Sequence, residues 1–415
     1  MAEQLGRDPR TVKSGNNVAR WESGTVPELP TCHAIAAIHG VSQQAVKQHG
    51  WPNFLNLANH NQALSSPWTF EGTLVALNSL PHHAPHTPSP EVTGRPLMEF
   101  ARKALSSALD PPARTTSHPG PVAEKLTRNA RDLHDWWRGG DPLTAYDLAQ
   151  ADLGLTARFL TEMPYDDPGR PQLLLVASFN SELCRAVKAN LGEHTLAERY
   201  GLLAVRTAAL AGSPLRTATA LANLAAGHAH AGNPRDAFAL NAAARSLVPR
   251  PTPRLEALIS AREAHAHARM HDSTSSLRAL DRATEALTIG SDDNALWNDL
   301  DEQWLAHSSG RALSALRRHK QALEHFNHLL RGALPAQATT QPLLYTANAL
   351  QRAARTQLAI GEVDAAAHSV IQATTLFSRI PSYLTQRQRQ AFRRYSRVPA
   401  VRSMLDLLAE KSAPG

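Results

Sequence analysis

Between Pro121 and Leu408 apolar residues recur at helical spacing, and no useful stretch alternates apolar and polar positions as a strand does. Helix starts are marked by a small polar residue before proline: Asp141-Pro142, Ser213-Pro214, Asn233-Pro234 and Thr252-Pro253. The polar side chain caps free N–H groups, and proline suits the first helical turn. Helix ends are marked too. Leu191-Gly192, Ala231-Gly232 and Ile360-Gly361 each close one helix and open another whose Ala or Leu residues pack inward. Two further copies lack the glycine, Arg269-Met270-His271-Asp272 and Arg317-Arg318-His319-Lys320. The turns fall near positions 192, 232, 271, 319 and 361, a spacing of about 40 residues.

The pattern divides the chain into three. Residues 1–58 read as short helices with tight turns. Residues 59–120 are rich in Pro and His, as in Pro81-His82-His83-Ala84-Pro85-His86-Thr87-Pro88-Ser89-Pro90, and read as a linker interrupted by one short helix from about Leu97 to Leu109. Residues 121–412 are the repeating array. The expected fold is all-α: a head of short helices followed by an α-solenoid of antiparallel helix pairs.

Composition refines this picture in a few places. Aromatic residues are 5% of the chain, so Ala and Leu must supply most of the core. No apolar run reaches the roughly 20 residues of a membrane span, and Met1-Ala2-Glu3-Gln4-Leu5 lacks the basic and apolar regions of a signal peptide. Cys32 and Cys184 lie far apart, which predicts small core residues in a reducing, cytoplasmic setting rather than a disulfide. The formal net charge of +7 has one source. Arg379, Arg387, Arg389, Arg393, Arg394, Arg397 and Arg402 have no acidic residue among them, and read as a solvated arginine-rich terminal helix or as a contact for phosphate or an acidic partner.

The small residues Ala222, Ala226 and Gly227, followed by Ala231-Gly232, Ala237 and Ala243, resemble the signature of the tetratricopeptide repeat. The period is longer than the 34 residues of the simple repeat, and an Ala-rich solenoid of another type is the alternative. The resemblance implies a continuous core between neighbours and a curved inner face that binds peptides or proteins. Asn180, Asn223 and Asn348 recur on the first helix of a pair. In peptide-sensing regulators with such arrays, inner-face Asn residues hold a peptide backbone, since an amide both donates and accepts. Hydrogen bonding between helices is the other reading of these three.

Ser14-Gly15-Asn16-Asn17-Val18-Ala19-Arg20-Trp21-Glu22-Ser23-Gly24 is the most informative stretch. Val18 and Trp21 share one helical face, while Asn16 and Arg20 share the opposite one. A second helix follows Pro30 with Ile35 and Ile38 as its buried side, then Gly40-Val41 and a third helix from Ser42. Val18-Ala19-Arg20-Trp21-Glu22-Ser23-Gly24, with Pro27, Pro30 and Ile35 to Val41, resembles the XRE (lambda-repressor-like) helix-turn-helix family. The resemblance implies that the head is a short helix-turn-helix domain and that the helix from Ser14 enters the DNA major groove. Asn16, Asn17 and Arg20 are then the candidate base readers, and Arg10 and Lys13 the phosphate contacts. The family has a further helix ahead of this segment and a shorter turn than Arg7 to Lys13. The expectation is that the head is truncated at Met1 and that the true start lies upstream. Gly50-Trp51-Pro52 and Pro67-Trp68-Thr69-Phe70-Glu71-Gly72 also resemble segments of large bacterial regulators that carry tetratricopeptide repeats.

No constellation points to catalysis, a cofactor or a metal. His228-Ala229-His230 and His265-Ala266-His267 place their rings about 200° apart on a helix, so neither pair chelates one ion. Asp166-Asp167 and Asp292-Asp293 sit where helix caps belong, and Cys184 lacks a base partner. The reading is a cytoplasmic bacterial transcriptional regulator, not an enzyme. Its expected partners are double-stranded DNA, a peptide or protein ligand on the array, and a second copy in a homodimer. The rival is a protein-interaction scaffold that no longer binds DNA.

Overall fold

The computed structural model describes residues 20–21, 25–38, 46–47, 50–52, 66–79, 92–110, 120–139, 142–164, 167–289, 300–333, 343–376 and 382–412. Among them there is no strand. Seventeen α-helices follow one another: α1 Leu29–Ile38, α2 Phe70–Asn78, α3 Arg95–Leu109, α4 Pro121–Gly139, α5 Pro142–Glu162, α6 Arg170–Leu191, α7 His194–Leu210, α8 Pro214–Ala231, α9 Pro234–Leu247, α10 Pro253–Arg269, α11 Ser273–Ile289, α12 Glu302–Ala315, α13 His319–Ala333, α14 Leu343–Ala359, α15 Val363–Thr375, α16 Ser382–Phe392 and α17 Pro399–Ser412. A 3₁₀ turn, Arg393–Tyr395, precedes α17.

From α4 onward the helices form hairpins, and neighbouring hairpins pack side by side, as in a solenoid. First helices of successive pairs start 39 to 49 residues apart. The proline-marked starts are capped: Ser213, Asn233 and Thr252 accept hydrogen bonds from the N–H groups of Arg216, Arg235 and Leu255. Asp167 accepts from Gly169 N–H at 2.7 Å ahead of α6, whereas Asp141, Asp166, Asp292 and Asp293 lie outside the described residues.

The helix ends share one device. At Gly192, Gly212, His271, Arg317 and Gly361 the backbone is left-handed, with φ between 60° and 86°. The following N–H reaches back to a carbonyl five residues earlier: Glu193 to Lys188, Ser213 to Ala208, Asp272 to His267, Arg318 to Leu313 and Glu362 to Gln357. His271 and Arg317 are the two turns that lack glycine, and they adopt the same conformation with a Cβ in place. Gly232 is different, with φ −113°, and there Asn233 and Pro234 restart the chain.

The core is mostly alanine and leucine. One buried cluster runs from Ala76 to Trp304, and a second, around Phe392, Val401 and Met404, closes the C-terminal end. Gly310 on α12 admits Phe326 from α13, since a Cβ there would fall 2.6 Å from the ring. Cys32 and Cys184 are buried and unpaired, and burial raises both thiol pKa values. No helix among the described residues is long and apolar enough to cross a membrane.

The segment read as a linker holds two described helices rather than one, and both pack on the array. Arg206 of α7 is fully buried and donates to Thr73 Oγ1 at 2.8 Å, to Ser66 O at 3.1 Å and to Pro67 O. Its guanidinium also lies 5.0 Å from the Trp68 ring. Glu198 and Asp236 accept from the N–H groups of Val92 and Gly94 at 3.2 Å, fastening the approach to α3. In the head, Cys32, Ala36 and Val46 form a small core flanked by Ile35 and Trp51. Thus α1 turns Cys32 and Ala36 inward, with Ile35 only partly buried, and the burial of Ile38 lies outside the described residues. Trp21 meets Trp51 edge to face at 6.4 Å.

His271→Gly removes the Cβ penalty of the left-handed turn and raises stability by about 0.5–1 kcal/mol. Gly361→Ala, at an open site with nothing within 4 Å of the added Cβ, lowers it by about 1 kcal/mol. Urea midpoints of the two variants moving in the same direction would refute the shared turn geometry.

Candidate functional site

The first helices of the pairs present one stripe each to the inside of the curl, at i, i+3 or i+4, and i+7. On α10 the stripe is Arg262, His265 and Arg269; on α12 it is Trp304, His307 and Arg311; on α14 it is Asn348, Arg352 and Arg355. That spacing places the three side chains of each helix on one face. α6 adds Asn180, Arg185 and Asn190, and α8 adds Arg216, Asn223 and His230.

The curl is tight enough for α14 to touch α4, and Asn348 Nδ2 donates to Asn190 Oδ1 at 2.9 Å across 158 residues of sequence. The stripes therefore face one another and enclose space. A wide end of about 620 Å³ is lined by residues that include His194, His230, Arg311, Arg352, Arg355 and Arg387. A middle part of about 100 Å³ shares His194, His230, Arg311 and Arg352 with it. A narrow end of about 90 Å³, with Trp137, Arg185, Arg262 and Trp304 in common with the middle, reaches Asn180, Asn223 and Arg216.

Its electrostatics are one-sided. Among the described residues, the wide end carries Arg269, Arg311, Arg352, Arg355 and Arg387 against a single lining carboxylate, Glu193, which sits 3.2 Å from Lys188 Nζ. Among the described residues, Arg269, Arg352, Arg355 and Arg387 form no ion pair. Burial, and then the neighbouring Arg311, Arg355 and Arg387, push the Arg352 guanidinium well below its ordinary pKa. Burial and Arg387 lower Arg355 to about 10.

Histidines line the same face. His194 and His230 meet at 5.3 Å between ring centroids, and His230 and His265 at 6.2 Å. Burial, followed by the charges of Arg387, Arg311, Arg352 and Arg355, lowers His194 to about 4. Burial and the arginines also hold His230, His265 and His307 well below the usual imidazole value. These rings are neutral at pH 7. Each His-Ala-His pair is split by the helix: His230 and His265 face the cavity, while His228 lies 3.3 Å from Glu198 and His267 3.3 Å from Asp272. Among the described residues no group of three or more His, Cys, Asp or Glu is placed to hold a metal ion.

The three asparagines singled out by the repeat all line these cavities, and each also bonds to another helix. Asn180 Nδ2 donates to Asp152 Oδ2 at 2.9 Å, and Asn223 Oδ1 accepts from Arg262 Nη2 at 3.2 Å. Asn348 makes the bond to Asn190 that spans the closure. Arg10, Lys13, Asn16 and Asn17 lie outside the described residues, and Arg20 is helical and exposed. Of the terminal arginine run, Arg387 is exposed yet lines the wide end, Arg389, Arg393, Arg394, Arg397 and Arg402 are exposed and line no part of it, and Arg379 lies outside the described residues.

Arg311, Arg352 and Arg355 were missed by sequence reasoning. Their signal was present: Arg352 and Arg355 follow Asn348 by four and seven residues, on the face already assigned to the inside.

Acidification reads the buried histidines. The unfolded chain takes up protons at them from about pH 6.5, whereas folded His194 does so only near 4. Their contribution to stability is complete above about pH 6.5 and is lost as pH falls toward 4. Calorimetric midpoints between pH 8 and 5 are expected to fall on the acid side, and His194→Gln to flatten the slope; a midpoint constant over that range would contradict the assignment.

No protein-family model and no curated protein sequence matches the chain.

Proposed function

We propose that the chain is a DNA-binding transcriptional regulator whose helical array senses a peptide or protein segment seated in its inner cavity. The observation that carries this is the closure of the array. Its first helices enclose a groove lined by hydrogen-bonding and cationic side chains, with Asn180, Asn223 and Asn348 along its length. A cavity of about 620 Å³ falls in the range of ligand sites. Among the described residues that line it there is no paired nucleophile and base, and Cys184 is buried in the core, with its thiol pKa raised by burial. The Ser14 to Gly24 motif supplies the DNA half of the reading, with Asn16, Asn17 and Arg20 facing bases and Arg10 and Lys13 facing phosphates. A homodimer would set two such heads on paired half-sites.

Selection of the full-length protein on a random-sequence duplex library, followed by fluorescence anisotropy on the enriched sequence, tests the reading. Binding is expected to weaken steeply with salt. Asn16→Ala and Arg20→Ala are each expected to weaken it by about tenfold or more. If no sequence is enriched, or both variants bind as the parent does, the chain is a protein-interaction scaffold instead.

A further inference from the structure

We infer that the wide end of the cavity is a polyanion site, built for a small ligand that presents two or more carboxylate or phosphate charges to Arg311, Arg352, Arg355 and Arg387. This rests on the reading of the inner cavity as the ligand site, and it names what that ligand carries.

The arginines reach one space from three successive first helices. Arg311 comes from α12, Arg352 and Arg355 from α14, and Arg387 from α16. α12 packs on its neighbours through Ala312 and Leu313, α14 through Ala349, Leu350 and Ala353, and α16 through Phe392, so these contacts do not use the arginines as packing material. Yet Arg352 and Arg355 are held where water is limited and like charges are close, with Arg387 reaching the same space from an exposed position, and Arg352 and Arg355 carry no ion pair among the described residues. Such a cluster raises the free energy of the empty protein. The lining carboxylate, Glu193, is already held by Lys188. The neighbouring rings of His194, His230 and His265 are neutral and add hydrogen-bonding capacity without charge at pH 7.

An anion reverses that cost. The planar guanidinium matches carboxylate and phosphate oxygens two at a time, and several converging forks select for a ligand with several charges. A volume of about 620 Å³ admits a few amino-acid residues or a phosphorylated metabolite, not a folded domain. The surroundings also oppose a purely apolar occupant, which would bury these charges without a partner.

Thermal unfolding and isothermal titration calorimetry of the full-length protein test this, with citrate, pyrophosphate and a triglutamate peptide as probes. Sodium chloride at matched ionic strength and an end-blocked trialanine peptide are the controls. At least one polyanion is expected to raise the midpoint in a concentration-dependent way and to bind at least tenfold more tightly than the blocked neutral peptide. A response to citrate and triglutamate alone assigns a carboxylate ligand, and a response to pyrophosphate alone a phosphorylated one.

Arg352→Gln and Arg355→Gln are expected to do two opposite things: raise the midpoint of the ligand-free protein, and weaken the anion by at least tenfold. Arg389→Gln, an exposed arginine outside the cavity lining, is expected to change neither. Failure of every polyanion to bind, equal binding to the parent and the Arg352 and Arg355 variants, or ligand-free variants less stable than the parent would each overturn the proposal. DNA binding by Asn16 and Arg20 is read in a separate assay, so failure of the head leaves this result intact and failure of the anion site leaves the head intact.

Discussion

The architecture depends on how each helix ends. A left-handed residue turns the chain and lets the next N–H satisfy a carbonyl that the helix would leave open, so the second helix leaves at a set angle. That turn recurs at Gly192, Gly212, His271, Arg317 and Gly361. Hairpins stacked side by side accumulate into a curl, and here the curl brings α14 against α4. The cavity is thus a consequence of stacking like hairpins more than of any single side chain. Where glycine is absent the same turn is kept at a local conformational cost of about 1 kcal/mol, which indicates that packing between hairpins over-determines it.

Alanine makes the curl tight. Small residues at the facing positions let first helices approach one another, and the inner surface narrows accordingly. Long polar side chains of the first helices project into that inner space. Asn180, Asn223 and Asn348 find partners on other helices, so they hold the curl as well as line it. Arg352 and Arg355 do not find carboxylates among the described residues, and the two kinds of inner-face residue therefore differ: one group stabilises the closed form, the other burdens it. Proteins commonly accept such local burdens where a ligand is to be bound.

Much of the array could be read from sequence because its signals are local. Proline after a small polar residue marks a start, and glycine after an apolar helix marks an end; both depend on neighbours within a turn. The placement of Asn180, Asn223 and Asn348 on first helices followed from the same periodicity. The cavity itself is not local. Its lining joins His194 to Arg387, and only the accumulated curl brings them together. Arg206 shows the same limit in another form. In sequence it is one basic residue in an Ala-rich helix, but in the fold it is fully buried beneath Ser66, Pro67 and Thr73. The stretch around Trp68 looked like linker because proline interrupts it, whereas Trp68 packs against Phe100 and Phe70 sits under Arg170.

The same attachment suggests how a ligand inside would act outside in the proposed regulator. α8 faces two ways: His230 lines the cavity, and His228, two residues earlier on the other side, lies 3.3 Å from Glu198. Glu198 in turn accepts from Val92 N–H, and Asp236 of the next helix accepts from Gly94 N–H. Arg206 clamps residues 66–73 from α7, the partner helix of cavity-lining α6. The segments nearest in sequence to the head are therefore fastened to the outer sides of the hairpins whose inner sides hold the ligand space. In that proposal, an anion drawing Arg311, Arg352, Arg355 and Arg387 together would shift the population between more open and more closed curls by its differential affinity for the two. If packed hairpins move as units, such a change in curl would displace Glu198, Asp236 and Arg206 with them. The head would then respond through its tether, with no need for a ligand contact of its own.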